Sequence, residues 1–122
     1  MTRCVADKRT LEDGKLILYL AVDGHANYAE SGKDIVCASV SCLCVSLANA
    51  LVAGGVHENC IRMKDGEFFV GATVLENREY IEGAFDMATS GLRQIAERYP
   101  ENVRFKSGVS HSKKHKDTMK ER

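Results

Sequence analysis

The 122-residue sequence lacks several features that would place it in a common functional class. Its formal net charge is zero, so the chain as a whole is not suited to strong binding of polyanions. Met1–Lys8 carries charged residues and no apolar run of the kind found in secretory signal peptides. Gly54-Gly55 is not followed by the Lys-Ser/Thr pair of a phosphate loop. A length of this order fits one domain with a modest core.

The cysteine pattern argues against both disulfides and a metal site. The chain has five cysteines, an odd number, and no CxxC pair. With no signal peptide, this composition predicts a cytoplasmic protein with free thiols. Cys37, Cys42 and Cys44 are close in sequence, but at 100° per residue Cys42 and Cys44 point about 160° apart on a helix. We therefore predict no metal and no cofactor.

The order of hydrophobic patterns predicts an α/β (α+β) fold, a two-layer sandwich. Alternating residues and two Asp-Gly turns indicate two hairpins, and two stretches of helical periodicity follow them, with Asn77 capping the second. The order β-β-α-β-β-α places both helices on one face of a four-stranded sheet. Residues 1–106 form the predicted domain, which ends in a short extended piece over 103–106. Residues 107–122 are predicted to form a basic, disordered tail. The predicted strands are Thr2–Lys8, Lys15–Asp23, Cys60–Lys64 and Glu67–Val74, and the helices are Ile35–Ala53 and 78–99.

The first helix needs separate attention because its 19 residues contain no charge. That length would allow it to cross a membrane. Its serines and Asn49, and the absence of a basic cluster on one flank, favour a core helix instead. We therefore predict no membrane span. The expected core stripe is Val36, Val40, Leu43, Leu47, Ala50 and Leu51, whereas Cys42 should face outward.

The loop before this helix and the helix's first turn carry the candidate chemistry. Asp34 is a suitable N-cap, which places Cys37 at the third helical position, among unpaired backbone N–H groups and at the positive end of the helix dipole. Such an environment favours a thiolate. His25 lies on the preceding glycine-containing loop, within reach as a base. The alternatives are a small packed cysteine and a solvated loop histidine, and position alone leaves both readings open.

The stretch Gly24–Leu43, GHANYAESGKDIVCASVSCL, resembles the signature of the ribosomal-processing cysteine protease (Prp) family. The matching features are a Gly-His-x-x-Tyr loop, a Gly-x-Asp-Ile-x-Cys-Ala step and a serine four residues after the cysteine. The segment SGLRQIAERYPENV is similar to the family's closing helix, so the likeness covers nearly all of residues 1–106. The matched positions are Gly24, His25, Tyr28, Gly32, Asp34, Ile35, Cys37, Ala38 and Ser41.

This resemblance implies a cytoplasmic, homodimeric cysteine endopeptidase that removes the N-terminal extension of a large-subunit ribosomal protein during ribosome assembly. It implies Cys37 as nucleophile and His25 as general base. Asp34, Ser41, Gly24 and Ala38 are expected to support the site. Gly24, Tyr28 and Gly32 are expected in a substrate loop.

Charge gives an expectation about the substrate and leaves a second function open. The tail has five basic and two acidic residues, so the remaining body has three more acidic than basic residues. Asp23, Glu30 and Asp34 near the site would suit a basic ribosomal peptide. The alternative is a non-catalytic, ribosome- or RNA-associated factor that uses the basic tail while Cys37 is merely packed.

Overall fold

The computed structural model describes residues 1–108, and the predicted tail from residue 109 onward lies outside the described residues. The two-layer α+β class predicted from the sequence is confirmed. Both helices cover one face of a single sheet. In chain order the elements are β1 (Thr2–Thr10), β2 (Leu16–Asp23), α1 (Ile35–Ala53), a 3₁₀ turn (Glu58–Cys60), β3 (Ile61–Lys64), β4 (Glu67–Val74), α2 (Arg78–Arg98) and β5 (Val103–Ser107).

The sheet has five strands in the order β3-β4-β2-β1-β5, so the expectation of four strands was wrong. The stretch Val103–Lys106 was expected only as a short extended piece. It continues to Ser107 and pairs with β1 in parallel, with Thr2 opposite Val103 and Ala6 opposite Ser107. Ser107 therefore belongs to the sheet rather than to the tail. All other neighbouring strands are antiparallel.

The core lies between the helices and the face of the sheet that they cover. Along β2, Leu16, Leu18, Leu20 and Val22 are buried, as their alternation predicts. On α1 the buried residues are Val36, Val40, Cys44, Leu47, Ala48 and Leu51. Of the other two residues predicted in that stripe, Leu43 is partly buried and packs against the core, and Ala50 is partly buried at its edge. Leu43 faces α2, where a Cβ at Gly91 would come within 2.8 Å of its Cδ1.

Among the described residues, α1 is the helix whose length and composition would allow it to cross a membrane, with a mean hydropathy of 2.2. The fold also accounts for the apolar composition of α1. One side of α1 forms part of the core, and the helix packs along α2. Gly54 caps its C-terminus, as predicted from the Gly54-Gly55 pair.

The sheet register brings the turn between β3 and β4 to the loop that carries His25. Asp23, the last residue of β2, lies opposite Glu67, the first residue of β4. The Gly24 N–H donates a hydrogen bond to the Gly66 carbonyl at 2.9 Å. The loop from Gly24 to Lys33 therefore starts beside the Asp65-Gly66 turn and ends at the first turn of α1.

Candidate active site

Asp34 connects the loop to the helix through both oxygens of its carboxylate. Oδ1 accepts a hydrogen bond from the Cys37 N–H at 2.8 Å, which is the predicted N-cap. Oδ2 accepts from the N–H groups of Tyr28 at 2.9 Å and Ala29 at 3.3 Å. Desolvation opposes ionisation, but these N–H donors outweigh it and hold the pKa of Asp34 below its usual value. The charged carboxylate thus fixes the loop against the helix.

The sulfur of Cys37 is partly buried and lies at the junction of loop and helix. The backbone N–H of Ala26 donates to Sγ at 3.4 Å. This contact joins the residue after His25 directly to the thiol. The loop is therefore connected to Cys37 by a main-chain donor as well as by Asp34.

The backbone around His25 is held from two sides. The carbonyl of His25 accepts a hydrogen bond from the Met1 amino group at 2.7 Å, and the carbonyl of Ala26 accepts from Asn102 Nδ2 at 3.0 Å. Gly24 has a φ of +97°, and a Cβ there would come within 2.3 Å of the Met1 carbonyl oxygen. Only glycine fits this position without moving the start of β1.

The imidazole of His25 lies against the turn between β3 and β4. Its Nε2 is 3.9 Å from Asp65 Oδ2, and a Cβ at Gly66 would come within 2.8 Å of the same nitrogen. The ring is half exposed, at 56%. Within residues 1–108, no direct hydrogen bond joins it to the Cys37 sulfur, which is common for catalytic pairs before substrate binds.

Cys37 and His25 line the same groove, which has a volume of about 600 Å³. One wall is the outer side of α1, and the other is the β3–β4 hairpin. The hairpin contributes residues that were not predicted from the sequence, because an Asp-Gly turn indicates a hairpin without indicating what lies next to it. They are Met63, Lys64, Asp65, Gly66, Glu67 and Phe68.

The remaining predicted site residues do not all reach the groove. Gly24, Gly32, Ala38 and Ser41 line it, and Ser41 lies one helical turn after Cys37. Tyr28 differs, because its ring packs edge-on against Tyr99 with centroids 5.4 Å apart. Its backbone N–H reaches Asp34, so Tyr28 contributes to the loop's anchoring through its main chain.

A partly buried thiol in the first turn of a helix and an imidazole in the same open groove form the arrangement of a cysteine protease. The groove is large enough for several side chains of a peptide. Within residues 1–108, no three His, Cys, Asp or Glu side chains are grouped as metal ligands.

Comparison with known proteins gives the family. The sequence profile of the Cysteine protease Prp family matches residues 5–104. A ribosomal processing cysteine protease Prp from Staphylococcus aureus is 30% identical over 96 residues, which are 78% of this chain and 91% of the relative. The Mycoplasma genitalium protein of the same name is 29% identical over 90 residues, 70% of this chain and 83% of the relative.

Solved structures agree. The S. aureus protease in complex with a covalently linked product peptide superimposes with a TM-score of 0.66 and 28% identity, covering 85% of this chain and 98% of that one. SMU.848 from Streptococcus mutans gives a TM-score of 0.63 and 28% identity, covering 88% and 93%. The chain belongs to the Prp family of cysteine proteases, and the sequence-based prediction of this family is confirmed.

Proposed function

We propose that this protease removes the N-terminal extension of a large-subunit ribosomal protein during ribosome assembly, with Cys37 as nucleophile and His25 as general base. The observation that carries the assignment of roles is that these two side chains line one groove in a Prp-family fold. The S. aureus relatives whose structures hold a substrate peptide or a covalently linked product peptide support a peptide substrate.

The reaction uses the two residues in sequence. The Cys37 thiolate attacks the scissile carbonyl carbon, forming a carbon–sulfur bond and a tetrahedral oxyanion. His25 takes the thiol proton and then gives it to the departing amine as the carbon–nitrogen bond breaks. Water, deprotonated by His25, hydrolyses the thioester and restores the thiol. To do this the imidazole turns from the β3–β4 turn toward the sulfur.

The oxyanion needs a backbone donor that is free when the substrate arrives. Two first-turn N–H groups near the sulfur are already engaged, since Cys37 donates to the Asp34 carboxylate and Ala38 donates to the Asp34 carbonyl at 3.0 Å. The Ala26 N–H points at the sulfur itself. Once the substrate carbon is bonded to Sγ, the oxygen on that carbon would accept the Ala26 hydrogen bond in place of Sγ. We therefore assign Ala26 N–H as an oxyanion donor.

The charges around the groove suit a basic peptide. Asp34, Asp65 and Glu67 line it, and Lys64 is the basic residue on the same wall. Lys64 Nζ lies 4.0 Å from Glu67 Oε1, and Asp34 caps α1, which leaves the exposed Asp65 to face the substrate. A ribosomal protein extension with lysine or arginine residues would be attracted to this rim.

The protease is further proposed to be a cytoplasmic homodimer. Its basic tail is proposed to contact the ribosome or RNA. The outer face of α1 supports the dimer, because it is apolar and uncharged where a surface helix is ordinarily charged. Ile35, Val45 and Val52 are 56%, 44% and 48% exposed along it. Light scattering of the purified chain tests this state, and Val52→Glu should give monomers.

The function is tested by mixing the purified protein with the extended ribosomal protein of the same organism and measuring the product mass. We expect a single cut that removes the extension. Cys37→Ala should form no product, and His25→Ala should cut far more slowly. Full cleavage by either variant would contradict the assigned role. If neither the parent nor any variant cuts, and only the tail binds RNA, the non-catalytic alternative applies.

A further inference from the structure

The sheet has a second face, which neither helix of residues 1–108 covers. Side chains on this open face come from alternate positions of every strand, and they are paired across the sheet by its register. In one row, Arg62, Phe69, Ala21, Val5 and Lys106 lie side by side from β3 to β5. The next row contains Lys64, Glu67, Asp23, Arg3 and Arg104. A third contains Gly71, Tyr19 and Asp7.

The centre of the open face is an aromatic platform. Phe69 and Tyr19 pack edge to face, with ring centroids 5.5 Å apart, and Tyr19 is 39% exposed. Gly71 allows this arrangement, because a Cβ there would lie 3.1 Å from Phe69 Cζ. The guanidinium of Arg62 lies over the Phe69 ring, 5.9 Å from its centroid. Phe69 is therefore partly buried between Gly71, Tyr19 and the guanidinium of Arg62.

Basic residues lie on both sides of this platform. The face carries six basic and three acidic side chains, a net charge of +3. The domain of residues 1–106 has three more acidic than basic residues, so the rest of its surface carries −6. Three of the six basic residues have an acidic neighbour on this face. Lys64 lies 4.0 Å from Glu67, Arg9 lies 3.6 Å from Asp7, and Arg3 is opposite Asp23 in the register. Arg104 and Lys106 are exposed on the edge strand β5.

We infer that the open face of the sheet binds single-stranded RNA, at a site that meets the protease groove only at Lys64 and Glu67. The exposed ring of Tyr19 and the partly buried ring of Phe69 give unpaired bases a surface to stack on, and base–aromatic stacking tolerates any sequence. Arginine and lysine on both flanks neutralise the phosphates that join those bases. An acidic peptide would use the basic residues but not the aromatic centre, so the combination favours a nucleic acid. The site would hold the protease at exposed RNA while its groove acts on a protein.

The test is fluorescence anisotropy of a labelled oligouridylate of about twelve nucleotides, a length within the range of single-strand sites, with the full chain. Tyr19→Leu/Phe69→Leu should weaken binding about 10-fold or more, because it removes the stacking surface and keeps strand-compatible residues. Arg104→Gln/Lys106→Gln should lower the slope of log affinity against log salt by roughly 1.4. The matched control Arg98→Gln/Lys33→Gln removes two positive charges from α2 and the loop before α1, away from this face, and should leave the slope unchanged.

Three further measurements make the result decisive. A full chain with Lys113, Lys114 and Lys116 changed to Gln reports the tail's share of binding. Light scattering shows whether the open face is instead an interface between copies of the chain. Peptide cleavage by each variant shows that it has folded and tests the proposed function separately. The inference is overturned if the parent does not bind, if the tail variant alone abolishes binding, or if the face variants alter only the oligomeric state.

Discussion

Two cysteines on α1 differ in reactivity and burial because they lie at different positions along the helix. Cys37 is in the first turn, partly buried, with the Ala26 N–H directed at its sulfur. Cys44 is two turns further along, 5% exposed and in the core. Burial raises the pKa of the Cys44 thiol to about 11. Burial likewise raises the pKa of Cys4, on β1, to about 12. A thiol in the core stays protonated and inert, so a reactive one needs a helix end at the surface.

The largest expected difference between the two cysteines is in turnover. Cys37→Ser should reduce cleavage of the extended ribosomal protein by roughly a thousandfold or more, because the nucleophile is lost. Cys44→Ala should instead cost about 1 kcal/mol of unfolding free energy from lost packing. Cleavage rates and urea unfolding distinguish these effects. The exposed Cys42, changed to Ala, is the control for both, and a large loss of activity there would contradict the comparison.

Alkylation gives the next largest effect and needs no variant. With iodoacetamide at pH 7.5, Cys37 should react at least tenfold faster than Cys42, an exposed thiol on the same helix. Cys44 should react at least a hundredfold more slowly than Cys42, because a pKa of about 11 leaves a thiolate fraction of order 10⁻³ to 10⁻⁴. Peptide mass mapping over time measures all three rates. Equal rates for Cys37 and Cys42 would mean that the thiol is not activated.

A smaller loss of activity is expected from the turn that contacts His25. Gly66→Ala places a Cβ 2.8 Å from the present position of His25 Nε2 and requires a φ of +76°. We expect the imidazole to be displaced and kcat to fall about 10- to 100-fold, a typical share of general-base catalysis. Gly14→Ala is the control, since its φ is also positive at +89° but nothing lies within 4 Å of the added Cβ. Similar losses of kcat in both variants would show that the cause is general strain.

The smallest effect is the pH dependence of stability through Asp34. The pKa of Asp34 is lower in the folded protein than in the unfolded chain. Its contribution to the free energy of unfolding is therefore complete above the unfolded-state pKa, near 4, and is lost as the pH falls through the folded-state pKa. Asp34→Ala should cost about 1 kcal/mol at pH 7, the usual value of an N-cap. The loss should shrink below about pH 4. Urea unfolding of the parent and the variant from pH 7 to pH 3 measures this loss. A difference in unfolding free energy that stays constant with pH would contradict the role of the Asp34 carboxylate.

Local features of the site were predictable because short-range chemistry determines them. An aspartate before an uncharged run predicts a cap, and Asp34 accepts the Cys37 N–H as expected. Asp65-Gly66 predicts a hairpin turn, and Gly66 takes a positive φ of +76° there. The outward position of Cys42 follows from helical spacing alone. These relations extend over at most a few residues.

The features that were missed depend on distant parts of the chain. Helical periodicity gives a stripe, but the position of α2 decides that Cys44 is buried while Leu43 flanks the core. The parallel pairing of β5 with β1 joins residues about a hundred positions apart, which no local pattern encodes. For the same reason the sequence did not indicate that Asp65 would approach His25.

The strand order also has a consequence for synthesis of the chain. Asn102 supports the Ala26 carbonyl, and it immediately precedes β5, the last of the described strands to leave the ribosome. While the chain is being translated, β1 lacks its parallel neighbour and the loop with His25 lacks this hydrogen bond. The protease therefore should not complete its site on nascent chains that stop before β5. Arrested nascent chains ending at increasing lengths should bind an activity-based thiol probe only once β5 has emerged, and labelling of shorter chains would rule this out.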